Sequence, residues 1–148
     1  MSRDFIKCDW NKLTSYLLNR YPNEKRPDIL SIDILDRRMV GKKLFLKRIV
    51  TMENFGMKMY GLEEIEIDSE YRTYEIISTN INYQNIIKFI EKCQYNDING
   101  QTEIIKDFSV DGNSFIGNIL TKKYRENAKI GKDILSDFIT DKSFITLL

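Results

Sequence analysis

Apolar and polar positions change period twice along the chain, and each change marks a different kind of element. Asp9 is followed by Trp10, Leu13, Tyr16 and Leu17 at helical spacing, with Asp9 placed to cap the first turn. Pro22 biases Tyr21 away from helix, so this segment ends at Tyr21-Pro22-Asn23. After Pro27 the period becomes two. Ile32 and Ile34 stand among polar residues in Asp28 to Asp36, and Gly41-Lys42-Lys43 reads as a turn. Leu44 to Met52 returns with Leu44, Leu46, Arg48 and Val50 on one face. Glu63 to Ile67 alternates again, Asp68-Ser69-Glu70 turns, and Tyr71 to Thr79 follows as a strand. Asn85 to Tyr95 and Thr102 to Val110 flank Asn99-Gly100, a strong hairpin signal. A short strand at Asp4 to Lys7 brings the count to about seven, nearly all in hairpin order, which predicts an antiparallel meander.

The last part returns to helical period. Ile116, Ile119, Leu120, Lys123, Tyr124, Asn127, Gly131, Ile134, Leu135 and Phe138 recur at i, i+3 and i+4 over about 25 residues from Asn113. A sheet with one apolar face and one long amphipathic helix buries both by laying the helix across the sheet. The expected fold is α+β: a curved sheet around a long C-terminal helix, with a short N-terminal helix. Nothing divides the chain, so residues 1–148 are expected to form one domain.

Composition narrows the chemistry. The 148 residues carry a formal net charge of +1, with 30% charged and 42% hydrophobic residues, which is ordinary globular composition. A bulk charge this small argues against a nucleic-acid partner. Histidine is absent, which removes Ser–His and Cys–His catalysis and most zinc enzymes. Cys8 and Cys93 lack metal-ligand spacing and read as two free buried thiols. The first ten residues hold no apolar signal region or Arg-rich presequence, and no stretch has the length of a membrane span, so the expectation is a soluble protein, or one imported by a route that the sequence does not advertise.

Few residues remain as candidates for chemistry. Lys123 and Asn127 interrupt the apolar stripe four residues apart on one helix face. An inward lysine calls for an anion, whereas one at the stripe's edge reaches water along its stem. Arg20 ends the first helix and Arg48 shares a strand face with Leu46 and Val50. Such an arginine either pairs with a buried carboxylate, for which Asp33 and Asp36 are candidates, or takes an anionic ligand. Lys122, Lys123, Arg125, Lys129 and Lys132 form either a solvated helix face or a surface for anionic membrane. Phe55, Met57 and Met59, with Lys58, read either as a hairpin buried on both faces or as a lid dipping into membrane. Glu63, Glu64 and Glu66 read as a solvated face. No paired acid and base, phosphate-binding glycine loop or nucleophile elbow is present, so neither catalysis, cofactor nor metal is expected.

Five segments in order across nearly the whole chain resemble the PRELI/slowmo family of intramitochondrial phospholipid transfer proteins. They are Asn19-Arg20-Tyr21-Pro22-Asn23, Pro27-Asp28-Ile29-Leu30-Ser31-Ile32-Asp33-Ile34-Leu35-Asp36-Arg37, Arg48-Ile49-Val50, Ser78-Thr79-Asn80-Ile81, and Tyr124-Arg125-Glu126-Asn127-Ala128-Lys129-Ile130-Gly131-Lys132. The resemblance implies a seven-stranded sheet wrapped round a long helix (helix-grip, START/PITP-like) with a phospholipid in its groove. It implies a non-enzymatic carrier moving phosphatidic acid or phosphatidylserine between outer and inner mitochondrial membranes, with a small twin-CX9C protein as partner. The location it implies is the mitochondrial intermembrane space or its equivalent in a mitochondrion-derived organelle, peripheral to the membranes.

Residue by residue, the resemblance implies that Arg20, Arg48, Lys123 and Asn127 meet the lipid headgroup. It also implies that Phe55, Met57, Lys58 and Met59 form the lid that contacts membrane. The segment between Arg48 and Ser78 is shorter than in family members, leaving a lid of only Glu53 to Met59. That departure keeps a second reading open: a transfer-inactive member serving as a protein-interaction module.

Overall fold

A computed structural model describes residues 1–54 and 56–140. Its elements, in chain order, are β1 (Ser2–Ile6), α1 (Trp10–Asn19), β2 (Ile29–Val40), β3 (Lys43–Asn54), β4 (Met57–Asp68), β5 (Thr73–Asn80), β6 (Ile87–Ile98), β7 (Gln101–Gly112) and α2 (Ser114–Thr140). The strands form one antiparallel sheet in the order β1-β7-β6-β5-β4-β3-β2, so β1 closes the meander on its far side. The expected α+β architecture is therefore present, with strand ends shifted by a few residues. Tyr71, expected in a strand, lies in a turn because the Asp68 carboxylate accepts from the backbone N–H of Glu70 and Tyr71. Asn99 (φ 52°) and Gly100 (φ 84°) both take the left-handed conformation that a two-residue hairpin demands.

Period two sets which residues face the helices. On β3 the inward set is Leu44, Leu46, Arg48 and Val50; on β4 it is Gly61, Glu63, Ile65 and Ile67. On β6 it is Ile87, Phe89, Glu91, Cys93 and Tyr95. Trp10, Leu13 and Leu17 of α1 pack on Ile65, Ile76, Tyr74 and Tyr95 to make the core. The Trp10 indole Nε1 donates to the Tyr95 carbonyl at 3.0 Å, which fixes the helix against β6. Cys8 and Cys93 are both free and buried, as expected.

The two halves of α2 are held differently. Near its start, Tyr124 stacks on Phe108 of β7, with ring centroids 4.0 Å apart and planes 7° from parallel. Gly117 lets the helix approach Val110 and Ile87. Farther along, Ile134 is buried, Tyr16 stacks on Phe138 at 4.5 Å, and Lys25 pairs with Asp137. The helix thus leans on β7 and α1, away from β2, and Ile34 of β2, on the inward side beside Arg48, stays 62% exposed. An uncovered inward strip, the groove, is left along β2, with Ile32 half-buried and Ile34 exposed.

Two expectations fail on the sheet. Asp33 and Asp36 are exposed and partner neither Arg20 nor Arg48, because the strand pleat turns them away from the helices. Glu63 does not belong to a solvated face: it shares the inward phase of Ile65 and Ile67, while Glu64 points outward. The segment expected as a lid is the end of a regular hairpin, with β3 running to Asn54 and β4 starting at Met57. Met57 and Lys58 are exposed and Met59 is half-buried, so this hairpin is not buried on both faces. Phe55 lies outside the described residues.

Candidate functional site

The polar residues of the groove come from four directions. Arg48, only 5% exposed, lies opposite Glu63 on the neighbouring strand, and its Nη2 donates to Glu63 Oε2 at 2.9 Å. Its Nη1 donates to the Leu18 carbonyl at 3.3 Å, satisfying an unpaired acceptor near the end of α1 and placing a cation at that helix's negative end. Its Nε has no partner.

Arg20 follows the last residue of α1 and stands over the Tyr21 ring, 4.9 Å from its centroid. Tyr95, Tyr21, Tyr74 and Glu63 are the groups that act on it electrostatically. Burial pushes Tyr16 and Tyr74 up to about 12 and Tyr95 well above the ordinary phenol value, so these rings are neutral hydroxyl-bearing walls at neutral pH. Arg20 Nε is sealed from water without a hydrogen-bond partner, and among the described residues Arg20 joins no ion pair. A guanidinium cannot shed its charge to relieve burial. The groove therefore holds a cation whose nearest neighbours are mostly uncharged.

Arg26 is differently placed. It grips Asp28 with Nε and Nη2 at 2.8 and 2.9 Å, and its guanidinium also lies over the Tyr21 ring, 5.4 Å from the centroid. Burial alone would raise the Asp28 carboxyl, but the two bonds and charge of Arg26 outweigh it and hold Asp28 below its ordinary value. Asp28 is thereby committed to the loop between α1 and β2. Lys123 on α2 is half-buried and close enough to lend its charge to Asp28. Asn127, one turn on, is half-buried and makes no side-chain hydrogen bond among the described residues.

The structure thus brings Arg20 and Arg48 together, since both act on Tyr74 beside Glu63, and sets Lys123 nearer the Asp28 side. Reading the sequence missed Glu63, Glu91 and the tyrosines. Their signal was present in the strand phase: Glu63 is two residues before Ile65, and Glu91 two before Cys93. Among the described residues no carboxylate and thiol cluster is arranged to hold a metal, and no helix is long and apolar enough to cross a membrane.

One antiparallel sheet gripping a long terminal helix defines the helix-grip class. Ara h 8.0201 shares this fold, with a TM-score of 0.63 at 18% identity over 95% of this chain and 96% of that one. The PRELI-like family model matches residues 11–143, and the chain belongs to that family. It is similar to human PRELI domain-containing protein 1, mitochondrial, at 24% identity over 132 residues, which is 78% of this chain and 60% of that protein. Similarity to the protein slowmo homolog of Dictyostelium discoideum is 28% over 98 residues, covering 58% and 43% of the two chains. The chain thus spans at most about 60% of the length of these curated relatives.

Proposed function

We propose that this protein carries one acidic glycerophospholipid, phosphatidic acid or phosphatidylserine, between the outer and inner mitochondrial membranes, without making or breaking a bond. The observation that carries the reading is Arg20, a cation at the groove with its Nε unpartnered and no ion pair among the described residues. A phosphate offers the Arg20 guanidinium an anionic partner, and a charge-assisted bond is stronger than a neutral one. Arg48 contributes a second cation, Lys123 and Asn127 reach the headgroup from α2, and the apolar sheet face and helix stripe shelter the acyl chains. Family membership and the mitochondrial names of relatives support lipid carriage and a mitochondrial location, and the choice of lipid and of the intermembrane space follows the family resemblance.

Membrane contact falls to the hairpin tip at Met57, Lys58 and Met59. That tip is continuous with other exposed apolar residues, because the Asn82 side chain donates to the Lys58 carbonyl and accepts from the Tyr60 N–H. Ile81 and Ile86 of the neighbouring loop and Phe115 at the start of α2 extend the rim. A small twin-CX9C protein is the proposed partner, on the family resemblance. A transfer-inactive interaction module is the second reading, favoured by Glu63 already neutralising Arg48.

Native mass spectrometry after incubation with mixed vesicles tests the site. Wild type is expected to hold one acidic phospholipid, and Arg20→Met to lose it. Equal lipid on both proteins would refute the assignment of Arg20, and lipid on neither would favour the module.

A further inference from the structure

The sheet ends in two edge strands that differ. At one end β1 has 5 residues, whereas at the other β2 has 12. Among the described residues, no backbone hydrogen bond links residues 30–40 to anything but β3, so the other side of this strand is open. Edge strands are commonly guarded by lysine or proline, and β2 contains neither. Instead, Ile34, Leu35, Met39 and Val40 are each more than half exposed.

The strand is complementary to itself. Ile32 and Ile34 stand inward, in register with Val50 and Arg48. Leu35 is the extra residue of a bulge, because Ile34 pairs with Arg48 and Asp36 already pairs with Lys47. The phase resumes with Arg37 and Met39 inward beside Leu46 and Leu44, and with Arg38 outward, over the Phe45 ring at 5.3 Å. Inward positions 32, 34, 37 and 39 are thus symmetric about the junction of Leu35 and Asp36, as are outward positions 31, 33, 38 and 40. Without the bulge, 36 and 38 would point inward and the symmetry would be lost.

Two copies of β2 laid antiparallel about that junction match face with face. Ser31 meets Val40, Ile32 meets Met39, Asp33 meets Arg38 and Ile34 meets Arg37. Backbone N–H and C=O groups alternate in step with the side chains, so a register that matches faces also matches the free donors and acceptors. Opposite charges meet at Asp33 and Arg38, twice by symmetry. Within one copy Asp33 joins no ion pair among the described residues, and Arg38 reaches only Asp36, at 4.0 Å with both exposed. The neighbouring register, with Ile32 against Arg37, sets Asp33 against Asp36 and is opposed by their like charges.

We propose that two copies of this chain associate through β2, antiparallel about a two-fold axis at the junction of Leu35 and Asp36, joining two seven-stranded sheets into one. A two-fold contact uses the same patch on both subunits, which a self-complementary strand supplies. The partner's Met39 then lies beside Ile32, so the second copy extends the wall of the groove along β2. The inference stands apart from the lipid-carrier reading. One strand pair buries less than a standard interface, so the dissociation constant is expected in the micromolar range.

Sedimentation velocity of the full chain, from about 1 to about 200 µM, tests this, with thermal melts showing that each variant is folded. Wild type is expected to pass from monomer to dimer. Asp33→Arg and Arg38→Asp each set like charges against each other at exposed positions, and each should dimerise at least about tenfold more weakly while melting as wild type does. An equimolar mixture of these two variants places opposite charges at both pairs and should dimerise as wild type does, as should the variant carrying both changes. Wild type that stays monomeric throughout, single variants that dimerise unchanged, or a mixture and double variant no tighter than the single variants would overturn the pairing.

Discussion

Arg48 and Glu63 face each other across β3 and β4, and their side chains meet at 2.9 Å with 7% and 13% of their surfaces exposed. Removing one partner of such a pair leaves a buried charge without compensation, whereas removing both leaves an apolar surface. Arg48→Leu and Glu63→Leu are each expected to cost about 3 kcal/mol in urea unfolding, and the double variant less than either. Additive losses would show that the two residues do not act as a pair.

Arg20 should behave in the opposite way. Its Nε is buried and unpaired, so replacing it relieves a desolvation cost rather than breaking a bond. Arg20→Met is expected to leave the unfolding free energy within about 1 kcal/mol of wild type while reducing lipid retention at least about tenfold. Matched losses in stability and retention would mean that Arg20 is structural.

Burial pushes the Cys93 thiol up to about 12 from 9.0 and the Tyr74 phenol up to about 12 from 10.0. Between those values the unfolded chain gives up protons that the folded chain keeps. Stability is therefore fully present below about pH 9 and falls as the pH rises towards 12, by about 1.4 kcal/mol per pH unit for each group. Chemical denaturation from pH 7 to 11 should show the decline, and Cys93→Ala should flatten it. Both thiols should resist alkylation until the protein unfolds.

The junction between β7 and α2 tolerates little. A Cβ on Gly112 would lie 2.4 Å from the Ile86 carbonyl oxygen and 2.9 Å from the Ile87 Cα, at a φ of +127°. Across this contact the Asn113 N–H donates to Ile86, joining the helix start to the loop before β6. Asn80, fully buried, holds the other side of that loop by donating to the Asn82 and Ile87 carbonyls and accepting from the Phe89 N–H. Gly112→Ala and Asn80→Ala are each expected to lower stability by at least about 2 kcal/mol, read by thermal unfolding. A wild-type melting temperature in either would refute the packing described here.

The strands and helices were legible because their apolar residues keep strict periods, and the Asn99-Gly100 turn has only one comfortable geometry. Arg20, Arg48 and Lys123 were legible as basic residues sharing a face with aliphatics. Their partners were not. Glu63 sits between Leu62 and Glu64, and a run of carboxylates suggested solvent, although its phase with Ile65 already placed it inward. Asp33 and Asp36 were expected at Arg48 because β2 is adjacent, but adjacency does not say which way a side chain points. The register shift between Ile34 and Asp36 is invisible in composition. The tilt of α2 toward β7 depends on the Phe108–Tyr124 stack, a contact between distant segments that no local pattern records.

The most direct test is transfer of labelled phosphatidic acid, phosphatidylserine and phosphatidylcholine between vesicles by the purified protein, alone and with a twin-CX9C partner. The account predicts that an acidic lipid moves, that phosphatidylcholine does not, and that Arg20→Met abolishes the transfer. Folded protein that moves no lipid in either condition, or all three equally, would contradict it.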